Sequence, residues 1–118
     1  MPREKEDATY LWDMLEACRK IETIISGKTW RDFECDMVIR HAVERLIEII
    51  GEAARNISAE FKTLHPEIPW KGIIGQRHII AHEYAEIQYE RIWKIATNRI
   101  PELLYQLTPL VRIPENEE

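Results

Sequence analysis

The sequence predicts an all-α protein, a single-domain bundle of four or five helices. Three observations predict it. Apolar residues recur at three- and four-residue steps through every long segment, no stretch alternates with the two-residue period of a strand, and residues that start or stop helices stand at the junctions. With 118 residues the chain holds one core and one domain, residues 1–118. The helical pattern fills about residues 7 to 107, and residues 114–118 form an acidic tail expected to fray.

The first helix is expected from about Asp7 to Ser26, because Leu11, Met14, Leu15, Cys18, Ile21 and Ile25 fall on one stripe. Ser26-Gly27 then supplies a stop. Residues 28–33 read as a polar and aromatic connector with room for a short turn. A second long helix is expected from about Glu34 to Asn56. One row on it is Ile39, Val43, Leu46, Ile50, Ala53 or Ala54 and Ile57, and a second is Val38, Ala42 and Ile49. Two rows let a helix touch two neighbours, as an inner bundle helix must. Gly51-Glu52-Ala53-Ala54 is a run of small side chains around one acid, suited to close helix packing, with Glu52 a possible partner for a cation.

Ser58 can cap a short helix over residues 59–64, which Pro66 closes, and residues 65–69 are a loop. Pro69 suits the first turn of the next helix, expected to end at His82. Residues 83–88 read as a connector. Tyr89, Trp93, Ala96, Ile100, Leu103 or Leu104, Leu107 and Leu110 mark a last helix, in which Pro101 should force a kink or a split.

Composition narrows the function classes. No apolar run approaches the ~20 residues that span a bilayer, and the charged start, Met-Pro-Arg-Glu-Lys-Glu-Asp, lacks the apolar region of a signal peptide. A cytoplasmic protein without a membrane partner is expected. Cys18 and Cys35 have no C-x-x-C spacing and read as buried free thiols. The formal net charge of -5 argues against broad electrostatic binding of nucleic acid, so any such binding must use a local positive site.

One stretch carries the chemistry: Gly75-Gln76-Arg77-His78-Ile79-Ile80-Ala81-His82-Glu83-Tyr84. On a helical wheel, Trp70, Ile73, Ile74, Ile80 and Ala81 share an arc with Arg77 near its centre, and His78 and His82 lie on its flank. An unpaired arginine buried in an apolar stripe costs several kcal/mol. Arg77 therefore needs a carboxylate such as Glu52, a subunit interface, or an anion.

A metal held by His78 and His82, with Glu83 or His65 as third ligand, lacks the H-E-x-x-H pattern of zinc enzymes, and no metal or cofactor is expected. The plain structural alternatives are a histidine with one satisfied nitrogen and, for Tyr84, a packed aromatic ring. Metal-free RNA cleavage needs a base for the 2′-hydroxyl, an acid for the leaving 5′-oxygen, and a cation for the charge that develops on phosphorus. Imidazole suits the first two and guanidinium the third. A symmetric dimer joining two copies of this helix would supply a second imidazole and explain the arginine in an apolar face.

Arg77, four intervening residues, His82, one residue and Tyr84 resembles the signature of the HepT-like toxins of the HEPN superfamily. The segments Ile50-Gly51-Glu52-Ala53-Ala54-Arg55, Ile68-Pro69-Trp70 and Ile100-Pro101-Glu102-Leu103 extend the resemblance over roughly residues 7 to 107. It implies a metal-independent endoribonuclease toxin of a type II- or type VII-like toxin–antitoxin module. The toxin would act as a homodimer on an RNA substrate, with Arg77 on the scissile phosphate and His82 as general base or acid. It also implies a cognate minimal nucleotidyltransferase antitoxin that transfers AMP onto Tyr84. The position after the arginine, commonly asparagine in the family, is His78 here, a titratable group that could act as an auxiliary acid or base. The alternative is a catalytically silent HEPN dimer whose cleft binds a nucleotide or a partner protein, which the acidic net charge favours.

Overall fold

The computed structural model describes the backbone of residues 2–82 and 89–111 and the side chains of residues 6–76 and 89–111. All its regular structure among these residues is helical. The chain folds as α1 (Pro2–Ile25), α2 (Trp30–Cys35), α3 (Met37–Asn56), α4 (Ala59–Leu64), α5 (Trp70–His82), α6 (Tyr89–Lys94), a π turn (Ile95–Arg99), α7 (Ile100–Leu107) and a 3-10 turn (Thr108–Leu110).

Helices α1 and α3 form the antiparallel centre. On α1, Leu11, Met14, Leu15, Cys18 and Ile21 are buried as their spacing predicts, and Ile25 is half-buried. Gly27 ends the helix at φ +75°, the left-handed conformation that glycine adopts without a Cβ penalty. The start of α1 is tied to the far end of α3. Buried Asp7 accepts from the Ser58 backbone N–H (2.9 Å) and from its hydroxyl (2.7 Å), while that same hydroxyl caps α4 by accepting from the N–H of Phe61. Helix α5 packs on α3, and α7 packs on α1. The predicted role of α3 as an inner helix holds.

Three expectations shift in detail. The helix expected from Glu34 breaks at Asp36. Its carboxylate accepts from the N–H groups of Val38 and Ile39 and starts α3, and its own N–H closes α2 on the carbonyl of Phe33. An aspartate that captures backbone donors ends one helix and begins another. The connector ahead of it is itself helical, because Thr29 and Asp32 form a reciprocal capping box. This helix and the one after the site take the count slightly above four or five. On α3 the fully buried line is Val43, Ile47, Ile50 and Ala54, so Ile47, assigned to neither row, is core. Val38 is instead 73% exposed.

The last helix is divided ahead of Pro101 into α6, the π turn and α7. Pro101 lacks the N–H that would bond to the carbonyl of Thr97, and its ring would crowd that carbonyl. The chain widens into a π turn just before it, the Ile100 N–H reaching back to the carbonyl of Ile95. Helical turns then follow one another from Tyr89 to Leu107. Trp30, Phe33 and Trp93 cluster between α2 and α6, with Phe33 and Trp93 ring centres 5.1 Å apart. Arg40 lies 4.5 Å over the ring of Tyr89 and donates to the carbonyl of Glu34. Cys18 is buried as expected, but Cys35, the last residue of α2, is exposed. The expected connector 83–88 and the tail 114–118 lie outside the described residues. No described helix is long and apolar enough to cross a membrane.

Candidate functional site

Helix α5 owes its start to the turn before it. The carbonyl of Pro69 accepts from Ile73 as the first helical bond, Ile68 is buried, and Trp70 donates its indole N–H to the carbonyl of His65 at 3.0 Å. Phe61 meets both rings, with centroids 4.4 Å from His65 and 6.2 Å from Trp70. The ammonium of Lys62 lies 6.0 Å from the Trp70 ring, and burial lowers its pKa. These contacts fix the entry of the site helix against α4.

From this anchored end α5 runs unbroken to His82, so Arg77, His78 and His82 occupy its last two turns as the spacing predicts. Arg77 and His82 are five residues apart, about 7.5 Å of helix rise. The inward flank is fixed by Trp70 and Ile73, which are buried, and by Gln76, only 4% exposed. The side chains of Arg77, His78 and His82, and the whole of Glu83 and Tyr84, lie outside the described residues. Glu52 is exposed on α3.

Of the residues weighed for a metal, His65 alone has a described side chain. His65 holds Glu67 through Nδ1 at 3.2 Å and stacks on Phe61. Among the described residues no group of three histidines, cysteines or carboxylates could hold a metal ion. A surface recess at the α1–α2–α3 junction, lined by Lys28, Arg31, Asp32 and Cys35 among others, contains none of the motif residues.

Two residues beside the motif were not foreseen. Gln76, directly before Arg77, is buried with neither amide atom hydrogen-bonded among the described residues. Arg99, at the end of the π turn, lays its guanidinium on α5 where Gly72 lacks a side chain. A Cβ there would stand 2.9 Å from Nη1. The signal for Gln76 was present in the sequence, since it sits between Ile73 and Ile80 in the apolar register. For Arg99 there was none, because its place depends on the π turn.

The Ribonuclease HepT-like family matches residues 14–110, a span that includes every motif residue. The chain is 41% identical over 103 residues to the "Probable ribonuclease HepT" of Thermococcus cleftensis, covering 87% of this chain and 92% of that protein. It is 36% identical over 108 residues to the "Putative RNase TTE0752" of Caldanaerobacter subterraneus subsp. tengcongensis, covering 92% and 96%. No solved structure matches it. The helical fold, the placement of Arg77 and His82 on one helix and these matches together lead to one statement: the chain belongs to the Ribonuclease HepT-like family.

Proposed function

We propose that this protein is a metal-independent endoribonuclease, the toxin of a toxin–antitoxin pair, whose site forms in a homodimer from Arg77 and His82 of both subunits. The observation that carries the proposal is the family match across α5 and the residues after it, with Arg77 and His82 on adjoining turns of one helix. In this reaction the ribose 2′-oxygen attacks phosphorus and the bond to the 5′-oxygen breaks. One imidazole removes the proton from the 2′-hydroxyl, and another delivers a proton to the leaving 5′-oxygen. Arg77 holds the non-bridging oxygens and stabilises the charge that builds on them. Two copies of His82 provide the base and the acid, with His78 an auxiliary titratable group.

Tyr84 is the proposed contact to the phosphate and the point of control. An AMP joined to its oxygen by a cognate nucleotidyltransferase antitoxin would place a phosphodiester beside Arg77 and His82 and exclude RNA from the anion site. Co-expression with that partner should add one adenylate to the intact mass, and Tyr84→Phe should remove the adduct. The acidic net charge of -5 favours a second reading, a silent dimer that binds a nucleotide or a partner protein. Incubating the purified protein with RNA in EDTA separates the two. Cleavage that is lost in Arg77→Ala and His82→Ala supports the enzyme, and an inert wild type supports the silent dimer.

A further inference from the structure

The formal net charge of -5 is unevenly placed along the chain. Helix α5 (Trp70–His82) and the α6–π segment (Tyr89–Arg99) hold five lysines and arginines and one acid, Glu90, which makes +4 and leaves -9 on everything else. Three of these cations, Lys71, Arg91 and Lys94, are exposed and have no ion-pair partner among the described residues. On α1 and α3, by contrast, Arg19 lies 3.6 Å from Glu16 and Arg45 3.2 Å from Glu48. Arg91 and Lys94 are neighbours on the surface of α6, three residues or about 4.5 Å of rise apart, and point away from buried Ile92 and Ala96. Arg99 ties the far end of this segment to α5, its guanidinium resting where Gly72 lacks a Cβ. Exposed Lys71 is the residue just before that joint.

Cations in the last turn of a helix ordinarily answer its free carbonyls and its dipole. That explanation does not serve α6, because helical turns run on through the π turn to Leu107, and the Ile100 N–H already takes the carbonyl of Ile95. Like charges three residues apart repel, so Arg91 and Lys94 do not stabilise their own helix. An exposed cationic face without a protein partner is suited to an external polyanion. A phosphate backbone repeats one negative charge per nucleotide, and each lysine or arginine that neutralises a phosphate releases counterions. Single strands are held by surfaces of this kind. The -9 on the remainder of the chain repels the same strand and confines its contact to this side.

We propose that Lys71, Arg91 and Lys94 form the surface on which the phosphates of single-stranded RNA lie. Arg99 is the joint that holds the two segments together and is not itself a contact. This surface rests on the ribonuclease reading and supplies the local positive site that an acidic protein needs in order to hold RNA.

The test is binding of a fluorescent single-stranded oligouridylate by the full-length His82→Ala protein across a salt series. Adding Lys71→Gln, Arg91→Gln or Lys94→Gln should each reduce the slope of log affinity against log salt by about 0.7, one phosphate contact on a single strand, and all three together by about 2. Arg91→Lys should keep the slope. Arg31→Gln and Arg55→Gln, which remove exposed cations of α2 and α3, should leave it unchanged. A slope that ignores the triple substitution, or that falls equally with Arg31→Gln and Arg55→Gln, overturns the surface and leaves the nuclease standing. Binding whose slope depends on the three cations, by a protein whose wild type cleaves nothing, overturns the nuclease and keeps the surface. A protein that ignores the oligouridylate but binds a polyglutamate peptide through the same three cations overturns the RNA surface in favour of an acidic protein partner. Binding of neither probe also overturns the surface, and cleavage by the wild type then decides the nuclease alone.

Discussion

The α1–α3 packing and the meeting of Arg99, from the π turn, with Gly72 of α5 are built on opposite rules. Between α1 and α3 the contact is closed and apolar. Met14, Cys18, Ile21, Val43, Ile47 and Ile50 are each 0% exposed, and the buried acid nearby, Asp7, has both oxygens engaged by Ser58. Between the π turn and α5 a guanidinium lies where Gly72 leaves room for it, and one turn along α5 the buried Gln76 amide has no partner among the described residues. Polar satisfaction and dense packing give one well-determined arrangement. Buried polar groups without partners are rare in native folds and set this region apart from the closed core. The first pair holds the fold, and the second is the region from which function is proposed.

Substitutions should separate the two regions. The largest effect is expected at the motif: His82→Ala should cut RNA cleavage by about 10²- to 10⁴-fold, the usual worth of a general acid or base. Its melting temperature should stay near that of the wild type. Ile47→Ala should do the reverse, destabilising the fold by about 2–5 kcal/mol through the cavity it leaves, with cleavage per folded molecule unchanged. Urea denaturation and an activity assay on each variant would check both. Equal losses of stability from the two substitutions would erase the distinction.

Ser58→Ala should fall next, at about 1–3 kcal/mol, because it removes the α4 cap and strips the buried Asp7 of its hydroxyl donor. Much of this cost should return in Asp7→Asn, which keeps the shape and leaves no buried charge. Thermal melts of the two variants would measure it.

The cysteines sharpen the same contrast. Burial, reinforced by Glu22, pushes the Cys18 thiol from an ordinary 9.0 up to about 12. A group whose pKa rises on folding contributes stability that is complete below its unfolded pKa and is lost as pH climbs from about 9 toward 12. Maleimide at neutral pH should therefore add once to the native chain, at exposed Cys35, and twice after denaturation. Two rapid native additions would mean the α1–α3 contact opens readily.

The smallest effect belongs to the α2 cap. The Thr29 backbone N–H and side chain hold the exposed Asp32 carboxyl below its ordinary range. Such a group contributes stability above its unfolded pKa near 3.8 and loses it as pH falls through the lowered value. Asp32→Asn should lower the melting temperature slightly at neutral pH, and the difference should vanish in acid, where the wild-type carboxyl is also uncharged.

How far the sequence foretold this molecule follows from how local each cause is. Helix α1, the Ser58 cap, the Gly27 stop and the start of α5 are set by neighbours three or four residues away, and the spacing announced them. The Asp36 break was readable in principle, but the apolar steps on either side run through it in register and mask it. Exposure of Val38 and burial of Ile47 depend on where α1 and α5 lie against α3, which no single-helix pattern contains. At the site, the Arg77–His82 spacing and its helix were legible. Gln76 was visible as a polar residue among isoleucines and passed over beside its charged neighbours. Arg99 stands at the end of the π turn ahead of Pro101, where the proline announced a kink or a split but not which side chain the turn would carry to α5.

The ends of the RNA fragments test the chemistry at Arg77 and His82 most directly. Digesting RNA with the purified protein in EDTA should leave 2′,3′-cyclic phosphates and 5′-hydroxyls, since the attacking group is the neighbouring ribose oxygen, and neither end should form with His82→Ala. Fragments bearing 3′-hydroxyls and 5′-phosphates, produced only when a divalent cation is restored, would contradict the account.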